Sequence, residues 1–217
     1  MAFITIEKKI LEKNEDLANL NRKLFHDKKI FSLDLLSSPG SGKTTILEKS
    51  LDILGKQIHC AVIEGDVQTN RDAERIASHH VPVVQIITRG GCHLDASLIQ
   101  DALKNLPLDD IQLLFIENVG NLVCPAEFDL GETEKVVILS TTEGDDKPLK
   151  YPKAFYKAGT CILNKTDLLP HVDFNVPFFR ENALKINPNL QLFECSAKTG
   201  DGIEAWTNWL IQKIKHD

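Results

Sequence analysis

The chain has 217 residues, 42% hydrophobic and 26% charged, which supports one domain with an ample core. A net charge of −6 with no basic cluster argues against a nucleic-acid surface, and no apolar run approaches the ~20 residues that cross a bilayer. Five cysteines at irregular spacing read as reduced thiols, and the amino-terminal stretch lacks a signal peptide's apolar core, so a cytoplasmic protein is expected.

In chain order, residues 3–25 come first. Ile6, Ile10, Leu17, Leu20 and Leu24 roughly follow helical spacing and predict an amphipathic helix. Residues 1–29 are read as a helical extension, either packed on a domain of residues 30–217 or docking a partner. Strands are expected at Phe31–Leu36, Ile58–Ile63, Val83–Ile87, Leu113–Ile116, Val136–Leu139, Cys161–Leu163 and Leu190–Phe193. Helices are expected at Thr44–Leu54, Arg71–His79, Leu94–Leu106, Phe179–Lys185 and Ile203–Ile214. Near-continuous apolar strands alternating with helices define an α/β class, a doubly wound and mostly parallel sheet of about seven strands.

Between the first strand and its helix lies Ser37-Ser38-Pro39-Gly40-Ser41-Gly42-Lys43-Thr44, the strand–glycine loop–helix context of a phosphate-binding loop. The loop from Pro39 to Thr45 would cradle phosphate with its backbone N–H groups, Gly40 onward, and the helix N-terminus; Lys43 would reach the β/γ oxygens, and Thr44 would offer a hydroxyl to Mg²⁺. The pattern wants glycine at position 37; Ser37 fits if its φ stays negative. The second strand runs into Glu64-Gly65-Asp66, and Asp66 is the expected carboxylate for Mg²⁺. Asp72 reads equally as an active-site acid or as a complement to a helix dipole. After the fourth strand, Glu117-Asn118-Val119-Gly120 resembles a D/E-x-x-G loop, with Glu117 near Mg²⁺ and the Gly120 N–H near a γ-phosphate. No glutamine is placed to orient water, so slow hydrolysis is expected.

Asn164-Lys165-Thr166-Asp167 ends the strand at Cys161–Leu163. A carboxylate at the fourth position accepts both N1–H and the exocyclic amino group of guanine, donors that adenine does not offer together. Ser196-Ala197-Lys198 follows the last strand, where such a loop backs the guanine ring. Together these predict GTP/GDP as ligand.

Cys92 and His93 follow Gly90-Gly91 at the start of a predicted helix, where the helix dipole should favour thiolate; Cys124 lies beyond Glu117. Spacing alone leaves two readings, core thiols with a satisfied histidine, or soft ligands for Ni²⁺ or Zn²⁺ shared between chains or completed by solvent. Cys60, Cys161 and Cys195 read as core, and His79-His80 as a solvated helix end.

The phosphate loop, Glu64-Gly65-Asp66, Cys92-His93-Leu94-Asp95-Ala96, Glu117 through Pro125, Asp129-Leu130-Gly131-Glu132 and Asn164-Lys165-Thr166-Asp167 together resemble the HypB family of hydrogenase nickel-incorporation GTPases. Ser37 is ordinary in that family. The resemblance implies a GTPase that forms a homodimer with GTP, holds Ni²⁺ or Zn²⁺ through Cys92, His93 and Cys124, and helps deliver nickel to the [NiFe]-hydrogenase large subunit with a HypA-type metallochaperone as partner. Two departures stand out. Residues 1–30 contain no cysteine and a single histidine, His26, so an added amino-terminal nickel site is not expected; Arg89 stands where glycine is expected after Thr88. The competing readings are a urease-accessory GTPase, whose Cys-Pro-His triplet is absent, a cobalamin-enzyme chaperone GTPase, a metal-carrying scaffold with negligible turnover, and a P-loop small-molecule kinase.

Overall fold

The computed structural model describes residues 6–68 and 71–216. Strands β1 (Phe31–Ser37), β2 (Cys60–Asp66), β3 (Val83–Ile87), β4 (Leu113–Gly120), β5 (Glu134–Ser140), β6 (Ala158–Asn164) and β7 (Gln191–Glu194) form one sheet in the order β3-β2-β4-β1-β5-β6-β7. All six pairings are parallel. Helices α1 (Ile6–Lys28), α2 (Lys43–Leu54), α3 (Arg71–Ala77), α4 (Ala96–Leu103), α5 (Lys147–Lys150), α6 (Pro152–Lys157), α7 (Val176–Ile186) and α8 (Ile203–His216) cover it, with 3₁₀ turns at Cys124–Ala126 and Thr166–His171. No helix among the described residues is long and apolar enough to cross a membrane.

The central strand explains the architecture. Every residue of β1 is buried: Phe31, Leu33 and Leu35 share a core with α2 and α8, and α1 also packs against the strand. Asp34 lies within this strand at 0% exposure, where an unpaired carboxylate would be costly. Lys135 of β5 donates to it at 2.6 Å and the Asn118 side chain of β4 at 3.0 Å. Such parallel sheets bind ligands beyond their carboxyl ends.

The expected elements are present, with corrections. The acids of β2 and β4 lie inside the strands, not after them: Glu64 pairs with Glu117 across the two strands, and Ser37 with Gly120. Helix α4 starts at Ala96 because Asp95 caps it, accepting from the N–H groups of Ser97 and Leu98 at 2.9 Å each. Helix α3 stops at Ala77, and His80 takes a positive φ of 58°. Helices α5 and α6 and the 3₁₀ turns were not expected; a segment of one turn leaves no periodic pattern.

The first helix faces inward differently from the leucine reading. Asn14, Ala18, Asn21 and Phe25 are buried, whereas Leu20 is 55% exposed. Asn21 donates to the carbonyls of Ala96 (2.9 Å) and Leu130 (3.0 Å), and Asn14 donates to Asp129 O and accepts from Ala96 N–H. Gly131, at φ 87°, lies so close to α1 that a Cβ would strike the Ala18 carbonyl. The expected start at residues 3–5, the side chains of Ile6 and Ile10, and Thr69 lie outside the described residues.

Candidate functional site

Ser37 closes β1 with negative φ; Gly40 (φ 77°) and Gly42 (φ 89°) take the left-handed conformations of the loop. At Gly42 a Cβ would also collide with the Asn164 amide. The loop then opens α2, whose first residues Lys43 and Thr44 point at β4. Lys43 Nζ donates to the Asn118 carbonyl and lies 3.6 Å from Glu117 Oε1, while Thr44 Oγ1 donates to the same carboxylate oxygen at 2.6 Å. A cavity of about 600 Å³ opens above, lined by Pro39–Thr45, Asp66, Asp72, Glu117, Gly120 and Lys165.

Glu64, Asp66 and Asp72 each offer an oxygen, all within 4.8 Å of one another. Asp72 also pairs with Arg75 at 2.8 Å, so it is not simply a helix-end acid. Glu64, which sequence reasoning quoted but gave no role, is 2% exposed and its Oε2 has no hydrogen-bond partner among the described residues; the same holds for Glu117 Oε2. Burial, reinforced by Glu117 and Asp66 and opposed by Lys43, pushes the Glu64 carboxyl up to about 8. Burial likewise raises Glu117, against Lys43 and Thr44. Buried acids with orphaned oxygens fit a hard divalent cation such as Mg²⁺. The signal for Glu64 was an acid facing an acid across neighbouring strands, visible only once β2 and β4 are known to pair.

Asn164 joins two loops. Its Nδ2 donates to the Ser41 carbonyl at 2.9 Å and its Oδ1 accepts from Ala197 N–H at 3.1 Å. Lys165, at φ 61°, donates to the Gly40 carbonyl at 2.7 Å. Asp167 Oδ1 accepts from Ser196 Oγ at 2.7 Å, which fixes the carboxylate's orientation. Lys198 is exposed.

Cys92, His93 and Cys124 come together at the same end of the sheet, with ligand atoms all within 4.8 Å. Cys92 Sγ and His93 Nδ1 are 3.5 Å apart, and the Phe128 ring stacks on His93 with centroids 3.9 Å apart. Desolvation lowers the His93 pKa against the pull of Asp95, so its imidazole is held neutral, the form that ligates metals. The expected thiolate at Cys92 is corrected. Its pKa is raised, first by the Cys124 side chain and then by burial; α4 begins only at Ala96, with its first N–H groups capped by Asp95. Arg89 adopts φ 50°, the left-handed region for which glycine was expected. Cys60, Cys161 and Cys195 are buried in the core. His79 is not a solvated end: its side chain is 19% exposed and lies 2.9 Å from Asp52, while His80 is exposed.

A parallel sheet with a glycine-rich loop opening the helix after its central strand, and carboxylates facing that helix, defines a P-loop nucleotide-binding protein. Residues 33–194 match the model of the CobW/HypB/UreG nucleotide-binding domain. The chain is 52% identical over 208 residues to the hydrogenase maturation factor HypB of Escherichia coli K12, covering 96% of this chain and 72% of that protein. A solved structure of HypB from Helicobacter pylori in complex with nickel superposes with a TM-score of 0.90 at 40% identity, covering 94% of this chain and 96% of that one. HypB from Archaeoglobus fulgidus gives 0.88 at 37% identity, covering 94% and 100%. The chain belongs to the HypB family.

Proposed function

We propose that this chain is a GTP-hydrolysing nickel carrier that serves the maturation of [NiFe]-hydrogenase. The observation that carries the reading is the meeting of two thiols and an imidazole within 4.8 Å, where the loop between β3 and α4 meets the turn after the phosphate-facing strand β4. That set suits Ni²⁺ or Zn²⁺ rather than Mg²⁺, and the Helicobacter pylori relative was solved in complex with nickel. The metal is cargo here. One chain offers three ligands, and a second copy across a two-fold axis would complete the set, so a GTP-dependent homodimer is part of the reading. A HypA-type donor and the hydrogenase large subunit are its proposed partners.

In this reading Lys43 and the backbone N–H groups of Gly40–Thr45 hold the β/γ-phosphates, and Asp167 accepts from the guanine edge, with Asn164 tying that loop to the phosphate loop. Thr44, Asp66 and Glu117, with Glu64 and Asp72 beside them, would hold Mg²⁺, whose chemistry is to neutralise charge on the β/γ oxygens. Among the described residues no glutamine lines the cavity, which supports slow turnover. The test is Ni²⁺ and Zn²⁺ binding to wild type and Cys124→Ala, each loaded with GDP or a non-hydrolysable GTP analogue. Affinity in wild type should depend on the nucleotide, and the variant should bind at least about tenfold more weakly. Unchanged binding in the variant would sink the reading. Single-turnover hydrolysis separates the GTPase from a scaffold that only binds.

A further inference from the structure

Asn118 stands where the two candidate sites meet. It is fully buried, one residue past Glu117 in β4. Its backbone carbonyl accepts from the Lys43 ammonium. Its side-chain Oδ1 accepts from Leu94 N–H at 3.1 Å and from Val119 N–H at 3.0 Å. Its Nδ2 donates to Asp34 Oδ1 at 3.0 Å.

Two of these bonds lead toward His93, those to Leu94 and Asp34. Leu94 N belongs to the peptide that follows His93, so Asn118 Oδ1 fixes the loop directly behind the imidazole. The second route runs through the core. Asp34 Oδ2 accepts from Lys135 at 2.6 Å, and Lys135 also donates to the Phe128 carbonyl at 3.0 Å. Phe128 is the residue whose ring stacks on His93. The imidazole is thus held from its backbone and from its ring face by groups that converge on Asn118 and Asp34. The remaining acid of this network, Glu132, lies 2.8 Å from Lys135 and accepts from Leu130 N–H, so each of these buried side chains has a hydrogen-bond partner and the frame is held from several sides.

We infer that Asn118 is the positioning residue that couples the phosphate-binding lysine to the His93 ligand. This rests on the reading of the chain as a nucleotide-controlled metal carrier. Phosphate oxygens compete with the Asn118 carbonyl for the Lys43 ammonium. A change in that bond shifts the Asn118 peptide, and Oδ1 carries the shift to Leu94 N–H because the same oxygen is held by Val119 N–H next door. Asn121 adds a parallel tie: it bridges to Ser37 at the mouth of the phosphate loop, and its Nδ2 donates to the Cys92 carbonyl at 3.2 Å. An aliphatic residue of the same size at position 118 would fill the space but transmit nothing.

The experiment measures one ratio, Ni²⁺ affinity with the GTP analogue over Ni²⁺ affinity with GDP, in wild type, Asn118→Ala and Phe128→Leu. A purely structural role weakens both affinities together and leaves the ratio alone. The wild-type ratio should differ from one by about fivefold or more, and Ni²⁺ should shift the nucleotide preference by the same factor. Asn118→Ala should bring the ratio to within about twofold of one, near the limit of measurable coupling. Phe128→Leu alters a half-buried ring and keeps the inference testable if Asn118→Ala does not fold; its ratio should also fall. A wild-type ratio preserved in either folded variant overturns the inference and leaves the proposed function standing. A ratio of one in wild type overturns both.

Discussion

Cys60, Cys161 and Cys195 differ from Cys92 and Cys124 only in their surroundings. Burial raises all three core thiols, Cys60 and Cys195 to about 12, and none is accessible. A thiolate is the reactive species, so a buried thiol with a raised pKa is inert. Brief alkylation of the native protein should therefore label Cys92 and Cys124 alone, and bound Ni²⁺ should block even these. Peptide mapping that found Cys161 modified without unfolding would contradict the core assignment. Glu64 makes a prediction about pH. Its carboxyl sits near 8 in the fold against an ordinary value of 4.5. The folded state therefore holds a proton that the unfolded chain has released, so stability falls as pH rises from about 5 to 8 and levels off above. In protein freed of nucleotide and divalent ions, urea midpoints should decline across that window. Glu64→Gln should reduce the decline and leave a residual slope of the same sign from Glu117, Glu132 and Glu134, whose carboxyls burial also raises. A variant as steep as wild type would show that Glu64 is not the titrating group.

At the scale of elements, α8 shares a core with α2 through Ile203, Trp206 and Leu210, and Trp206 adds a hydrogen bond to it. Trp206 is 1% exposed, lies edge-on to Phe193 of β7, and donates from Nε1 to Ser50 Oγ of α2 at 3.0 Å. Ser50 in turn donates to the Ile46 carbonyl, so the indole N–H is paired within a dry contact. Trp206→Ala removes a large buried ring and should cost about 3–5 kcal/mol in chemical denaturation. A loss under about 1 kcal/mol would mean that the surrounding Phe193 and Trp209 collapse into the gap. Helix α1 behaves differently. Its inward asparagines bond to backbone at Ala96 and Leu130, so it holds loop geometry as much as it covers apolar surface. Apolar periodicity pointed to Leu20, and the structure turns that residue to solvent, with Asn14, Ala18, Asn21 and Phe25 facing inward and both asparagines paired with backbone.

Across the whole molecule, what could be read in the chain was what lies contiguous in it. The phosphate loop and Asn164–Asp167 are unbroken strings whose spacing is dictated by the ligand, and the alternation of apolar strands with helices gave the doubly wound sheet. What stayed hidden is what the sheet order brings together. Asp34 and Lys135 are 101 residues apart, and Leu94 and Asn118 are 24 apart; no local pattern marks either pair. The approach of Cys92 and His93 to Cys124 was open on spacing alone, because it depends on the turn after β4 folding back toward the loop before α4. Strand ends were misjudged for a related reason: acids such as Glu64 and Glu117 look like loop residues until burial between parallel neighbours is known.

The stapling of the Asn164–Asp167 loop to the phosphate loop has a kinetic consequence. Asn164 and Lys165 both donate to carbonyls of that loop, at Ser41 and Gly40, and Asn164 also receives Ala197 N–H from the loop beside it. The part proposed to read the base and the part proposed to grip the phosphates are one frame. On that reading, loosening a nucleotide at one end would strain its grip at the other. On the proposed function, its departure is expected as a single event rather than a sequence of partial releases, and a factor that pried at one of these loops would disturb both.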